Sequence, residues 1–164
     1  MQTIGDVIKP RDIYWVSADD SIRQTVRYIC ERKTGAVAVK EGEDVVGVFS
    51  ERDLMHRVVN AGIDMDSTTV KEVMSSEPYS VSMEDEIRYA KAVMFKFNVR
   101  HLVVVGKGEV FKGLVSMRDL IEADMAESSE MIEKLNDGYY ESAYRSRWRM
   151  SSNRVIEERY QPQQ

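Results

Sequence analysis

The chain repeats itself, and no other feature limits its fold as strongly. Gly47-Val48-Phe49-Ser50-Glu51-Arg52-Asp53-Leu54 returns 66 residues later as Gly113-Leu114-Val115-Ser116-Met117-Arg118-Asp119-Leu120. Upstream, Val16-Ser17-Ala18-Asp19-Asp20-Ser21-Ile22-Arg23 is matched at an offset of 65 by Val81-Ser82-Met83-Glu84-Asp85-Glu86-Ile87-Arg88, and Asp6-Val7-Ile8, at 66, by Glu72-Val73-Met74. Matches in one order along most of the length mark a duplication. Two copies are too few for a solenoid, which needs at least three. The two copies are therefore expected to face each other with pseudo-two-fold symmetry, each burying the other's apolar face.

Each copy reads as β-α-β-β-α. A short extended piece ends near Val16 or Val81. A helix follows, with Ile22, Val26, Ile29 and Cys30 on one face in the first copy and Ile87, Met94 and Phe97 in the second, at helical spacing. The continuous apolar runs Ala36–Val39 and Leu102–Val105 predict strands covered on both faces. Turn residues Glu41-Gly42-Glu43-Asp44 and Gly106-Lys107-Gly108-Glu109 lead to a second strand, Val45–Phe49 or Val110–Val115, that runs into a helix opening at Ser50 or Ser116. Between the copies, Gly62 and its polar neighbours end one helix. Ser67 or Thr68 is the expected cap of a short helix over Val70–Met74, which Pro78 closes off.

Composition removes several classes of function. Of the 164 residues 43% are apolar and 31% charged, with a net charge of -5. That balance disfavours general nucleic-acid binding, which needs a basic surface to neutralise phosphates. Cys30 is the lone cysteine, so no internal disulfide can form, and a cytoplasmic location with Cys30 as a small buried hydrophobe is expected. The first residues lack the basic-then-apolar pattern of a signal peptide. No apolar run approaches the ~20 residues that span a bilayer, so no membrane partner is expected. Cys-x-x-Cys, His-Glu-x-x-His, Gly-x-Ser-x-Gly and Walker-type loops are all missing. With two histidines and one cysteine, no metal site and no enzyme activity are expected.

Ser-x-Arg-Asp stands at a strand-to-helix junction in both copies. Serine as N-cap and an acid three residues on form a capping box at the positive end of a helix, and for a single occurrence that is explanation enough. Here the motif occurs twice, each time after a Gly-apolar-apolar strand, at corresponding places in a duplicated unit. With Asn98-Val99-Arg100-His101-Leu102-Val103-Val104-Val105, these segments resemble the CBS (cystathionine-β-synthase) domain pattern, from about Thr3 to about Met125.

The resemblance implies an α+β fold of two pseudo-symmetric βαββα CBS repeats packed as a Bateman module, over residues 1–62 and 63–125, with a helical tail over 126–164. It implies a regulatory sensor that binds an adenosine-containing ligand in clefts between the repeats: AMP, ADP or ATP first, with NAD(H) and S-adenosylmethionine in the same range. It implies that Asp53 with Ser50, and Asp119 with Ser116, accept hydrogen bonds from ribose hydroxyls. The chemistry is apt, since a cis-diol presents two donors and a carboxylate is an acceptor-only group with two oxygens.

Arg100 and His101 precede a core strand where the family often has basic residues reaching phosphates; the plain alternative is a surface pair. Their counterparts Gly35 and Ala36 carry no charge, so the clefts are chemically unequal. By the family's crossed arrangement, Ser116, Asp119, Arg100 and His101 are expected together, with Tyr14, Thr34 and Gly35 of the first copy against the base. The other cleft joins Ser50 and Asp53 to the region around Tyr79, and is expected to bind weakly, take adenosine-like ligands or stay empty.

Beyond Ala126 the repeat ends. Met131, Ile132, Leu135 and Tyr139 fall at helical spacing, Tyr140, Tyr144 and Trp148 recur every four residues, and Arg145, Arg147, Arg149, Arg154 and Arg159 make the end basic. The expected partner of this tail is a second copy in a homodimer. The remaining readings are a CBS-fold interaction module without ligand, which serves an unidentified regulated protein, and nucleic-acid binding through the arginine-rich tail.

Overall fold

The computed structural model describes residues 2–8 and 12–126. It falls into two units, Met1–Leu120 and Ile121–Gln164. The expectations for the tail lie outside the described residues. Two sheets make up the first unit. One has the order β1 (Trp15–Ser17), β2 (Ala36–Glu41), β3 (Asp44–Ser50), β4 (Ser75–Ser76), and the other β5 (Ser80–Ser82), β6 (His101–Val105), β7 (Phe111–Ser116). In both, the first pair is parallel and the second antiparallel. The duplicated α+β architecture is the one expected.

The repeats match in detail. Helices α2 (Ile22–Arg32) and α4 (Ile87–Phe97) each close on a left-handed residue, Lys33 at φ 52° and Asn98 at φ 53°. This turns the chain sharply into β2 and β6. Both hairpins slip register at equivalent points, between Val39 and Lys40 and between Val104 and Val105. Between the paired residues Val104 and Gly113 the second hairpin has one residue more than the first has between Val39 and Gly47, which accounts for the change of offset from 65 to 66, and its connection holds a 3-10 turn, Lys107–Glu109.

Ala36–Val39 and Leu102–Val104 are buried throughout, as strands covered on both faces require. Phe49, Val37 and Val39 form the first repeat's core with Ile22, Ile29, Val58 and Val70. Where the sheets meet, Ala36 and Val48 pack with Val103, flanked by Val105, Phe111 and Leu114.

The opening segments are exchanged. Helix α1 (Ile4–Ile8) belongs to the first copy, yet Ile4 and Gly5 donate N–H bonds of 2.8 Å to the carbonyls of Asp85 and Met83, and Ile4 is fully buried. Reciprocally, Val70 and Lys71 donate to Asp20 and Ala18 in the first copy at 2.8 and 3.2 Å.

Several local expectations change. Cys30 is exposed; the buried stripe of α2 is Ile22, Thr25 and Ile29, because Thr25 hides its hydroxyl in a 3.1 Å bond to the Ser21 carbonyl. On α4 the buried set is Ile87, Ala90 and Met94, and Phe97 is 41% exposed. The short helix is a 3-10 turn over Val70–Glu72, and its N-cap is Thr69, which engages Glu72, rather than Ser67 or Thr68.

Candidate functional site

Strand β3 ends at Ser50 in extended conformation (φ -130°, ψ 166°), and the chain turns at once into a single α-turn, α3 (Glu51–Asp53), that widens into a π-helix over Leu54–Val59. Asp53 is 7% exposed. Its Oδ2 accepts from the Ser50 amide at 2.9 Å and the Ser50 hydroxyl at 2.6 Å, the reciprocal box that the sequence predicts. Its Oδ1 accepts from the Ser75 hydroxyl at 2.9 Å and lies 3.5 Å from Nε of Arg57, one helical turn on. Arg57 also donates through Nη1 to the carbonyls of Val73, at 3.2 Å, and Met74. The second motif repeats the box: Asp119 Oδ2 accepts from the Ser116 amide and hydroxyl, both at 2.8 Å, at the start of α5 (Met117–Ala126).

A cleft of about 340 Å³ opens over Asp53. It is lined by Ser50, Arg52, Asp53 and Arg57 of the first motif's turn, by Ser75 to Tyr79, and by Val99, Arg100 and His101. Its size suits a small organic ligand. Three guanidinium groups against the carboxylates of Asp53 and Glu77 give it a cationic excess, which favours an anion. At the rim, Tyr79 stacks on Phe97 with ring centroids 4.2 Å apart and planes 17° apart. Tyr79 is 43% exposed and so keeps aromatic surface open. The counterpart Tyr14 is half-buried, set edge-on to Tyr28 at 6.4 Å with the Arg32 guanidinium over both rings.

Arg100 and His101 border the cleft of Ser50 and Asp53, in company with Tyr79, and are also joined to the motif of Ser116 and Asp119. The backbone explains how both adjacencies arise. The Arg100 carbonyl accepts the Met117 amide at 2.9 Å and His101 pairs with Ser116 across β6 and β7, so the main chain is bonded to its own motif while the residues border the other repeat's cleft.

His101 feels the charge of both acids. Burial pushes its imidazole below the ordinary value and the Arg100 guanidinium adds to this; Asp119 and then Asp53 oppose it, and Arg52 lowers it further. Across from it is Gly35, where a Cβ would lie 3.5 Å from Glu51 Oε2 and 3.9 Å from His101 Nε2. Thr34 turns its hydroxyl to the Ala36 carbonyl at 3.1 Å.

Sequence reading missed Ser75 and Arg57. Arg57 follows Asp53 by four residues, a spacing that brings side chains together on a helix, and was legible on that ground. Ser75 reaches Asp53 only through the pairing of β4 with β3. Among the described residues there is no cluster of three or more His, Cys, Asp or Glu able to hold a metal ion, and no helix is long and apolar enough to cross a membrane.

Paired βαββα units, each carrying Ser-x-x-Asp where a strand turns into a helix, define a tandem α+β module built by duplication. The CBS domain family model matches residues 4–60 and again 70–126, and the chain belongs to that family. It is similar to the mitochondrial CBS domain-containing protein CBSX3 of Arabidopsis thaliana, 29% identical over 153 residues, which is 87% of this chain and 73% of that one. The CBS-domain containing protein ATU1752 from Agrobacterium tumefaciens superposes with a TM-score of 0.67 at 26% identity, covering 74% of this chain and 98% of that one. The CBS domain protein PAE2072 from Pyrobaculum aerophilum, solved in complex with AMP, superposes with a TM-score of 0.66 at 27% identity, covering 71% and 88%.

Proposed function

We propose that this chain is a non-catalytic regulatory module that binds an adenine nucleotide, AMP, ADP or ATP, between its two CBS repeats. The observation that carries this reading is the Asp53 carboxylate at a cleft bordered by Arg52, Arg57 and Arg100. Asp53 and Ser50 hold the ribose, Arg100 and His101 the phosphate, and Tyr79 meets the base. Ser116 and Asp119 serve a second ribose, with Tyr14, Thr34 and Gly35 toward its base. The AMP complex of PAE2072 supports the ligand class. Occupancy acts as a signal insofar as the ligand favours one arrangement of the repeats over another.

The module is proposed to act as a cytoplasmic homodimer on a regulated protein. The exposed Met55, Val59 and Phe95 support self-association, because apolar side chains left in water gain by being covered. Light scattering on the purified chain tests the dimer.

One observation favours a second reading, a ligand-free interaction module: each acid already satisfies its own serine in a capping box. Calorimetric titration with AMP, ADP, ATP, NADH and S-adenosylmethionine decides. Saturable binding that is lost in Asp53→Ala or Asp119→Ala supports the nucleotide reading. No heat from any of the five supports the scaffold.

A further inference from the structure

The two oxygens of Asp53 have different company. Oδ2 is taken by the Ser50 amide and hydroxyl within its own turn. Oδ1, the one beyond the capping box, holds the Ser75 hydroxyl and the Arg57 guanidinium. That guanidinium also reaches the Val73 and Met74 carbonyls, so it ties the acid to the chain entering β4. Strand β4 is short, paired to β3 only through Gly47 with Ser76 and Val48 with Ser75.

A ligand that needs Oδ1 must displace both groups. A neutral nucleoside offers hydroxyls to the carboxylate and nothing to Arg57, whose half-exposed guanidinium would exchange its counter-charge for water alone. A ligand that carries a phosphate offers hydroxyls to Asp53 and an anion to Arg57, so every displaced group regains a partner.

We propose that Ser75 and Arg57 act as an internal stand-in for the ligand on Asp53, making this cleft selective for an anionic nucleotide over the corresponding nucleoside. The inference rests on the nucleotide reading above. Ligand capture of Arg57 also removes its bonds to Val73 and Met74, which loosens β4. At the offset of 66 the counterparts of Ser75 and Arg57 are Lys9 and Ala123, so the serine–arginine pair is particular to the first motif.

The test is calorimetric titration of the full chain with AMP and with adenosine, in an Asp119→Ala background so that the first cleft reports. Carriers of Ser75→Ala and Arg57→Met are titrated in parallel, with thermal unfolding recorded for each. The parent is expected to prefer AMP by about tenfold or more, the scale of one charge-assisted bond. Arg57→Met narrows that preference, Arg100 and His101 keeping their share of the phosphate, and leaves adenosine binding no weaker. Ser75→Ala tightens both ligands, since a competing hydroxyl is gone. If Arg57→Met unfolds the chain, the Ser75→Ala result decides.

Equal loss of AMP and adenosine in Arg57→Met would mean a structural clamp and would overturn the proposal. So would weaker binding in Ser75→Ala, or a parent that binds both ligands equally. Those outcomes leave nucleotide binding intact. A parent that binds no adenine nucleotide overturns the underlying reading, and this inference with it.

Discussion

Arg52 of the first repeat donates from Nη1 to the carbonyl of Asn98, 3.1 Å away in the second repeat. Asn98 is the left-handed residue that ends α4, so a cation meets the negative end of a helix whose last carbonyls lack partners of their own. The bond fastens the first motif's helix start to the second repeat. Arg52→Met is expected to lower stability by about 0.5–1.5 kcal/mol, as read from the midpoint of urea unfolding.

Gly47 and Gly113 occupy the same place in their repeats and are needed for different reasons. A Cβ at Gly47 would lie 2.8 Å from Met74 Cγ and 2.9 Å from the Ser75 carbonyl, so β4 closes over it. At Gly113 space is open, and the requirement is its φ of 135°. Gly47→Ala is expected to cost about 1–3 kcal/mol through overpacking. It is also expected to speed amide exchange at Ser75 and Ser76, whereas Gly113→Ala lowers stability without touching β4. Hydrogen exchange followed by NMR separates the two.

The His101 imidazole gives a pH dependence of definite sign. Its folded value lies below the ordinary one of about 6.5, mainly because of burial. Between the two values the unfolded chain binds more protons, so stability falls as pH drops through about 6.5 and levels off below the folded value. The charged groups that act on it are Arg100, Arg52, Asp119 and Asp53. Urea unfolding at pH 7.5 and 5.5 is expected to show a smaller loss in His101→Gln than in the parent. An equal loss would assign the slope to other groups.

Among the described residues, Phe49 is the largest side chain wholly sealed from water, set among Val37, Val39 and Val58. Phe49→Ala is expected to cost about 3–5 kcal/mol, from lost burial and a cavity that rigid strands do not refill. The measurement is the shift in unfolding midpoint. Because β3 leads directly into Ser50, binding at the cleft should weaken as well.

Much of this was legible from residue order. The repeat, the buried runs Ala36–Val39 and Leu102–Val104, and the Ser-x-x-Asp junctions all depend on neighbours within a few residues, where periodicity and capping speak clearly. What escaped depends on contacts across the fold. Ser75 meets Asp53 from 22 positions away, through a strand only two residues long. Arg100 and His101 border a cleft opposite the motif their backbone serves, which sequence proximity cannot reveal. Cys30 was misjudged because Thr25 buries its hydroxyl by bonding within α2, so that a polar residue takes a position periodicity reserves for an apolar one.

The reciprocal docking of α1 and of Val70–Glu72 makes the halves clasp like linked hands. Each carries away part of its sibling's lining if pulled loose, so neither is a self-sufficient piece that evolution could drop. A cut beside the exposed Gly62 would yield two fragments that stay together without a peptide bond and part only when the whole assembly melts.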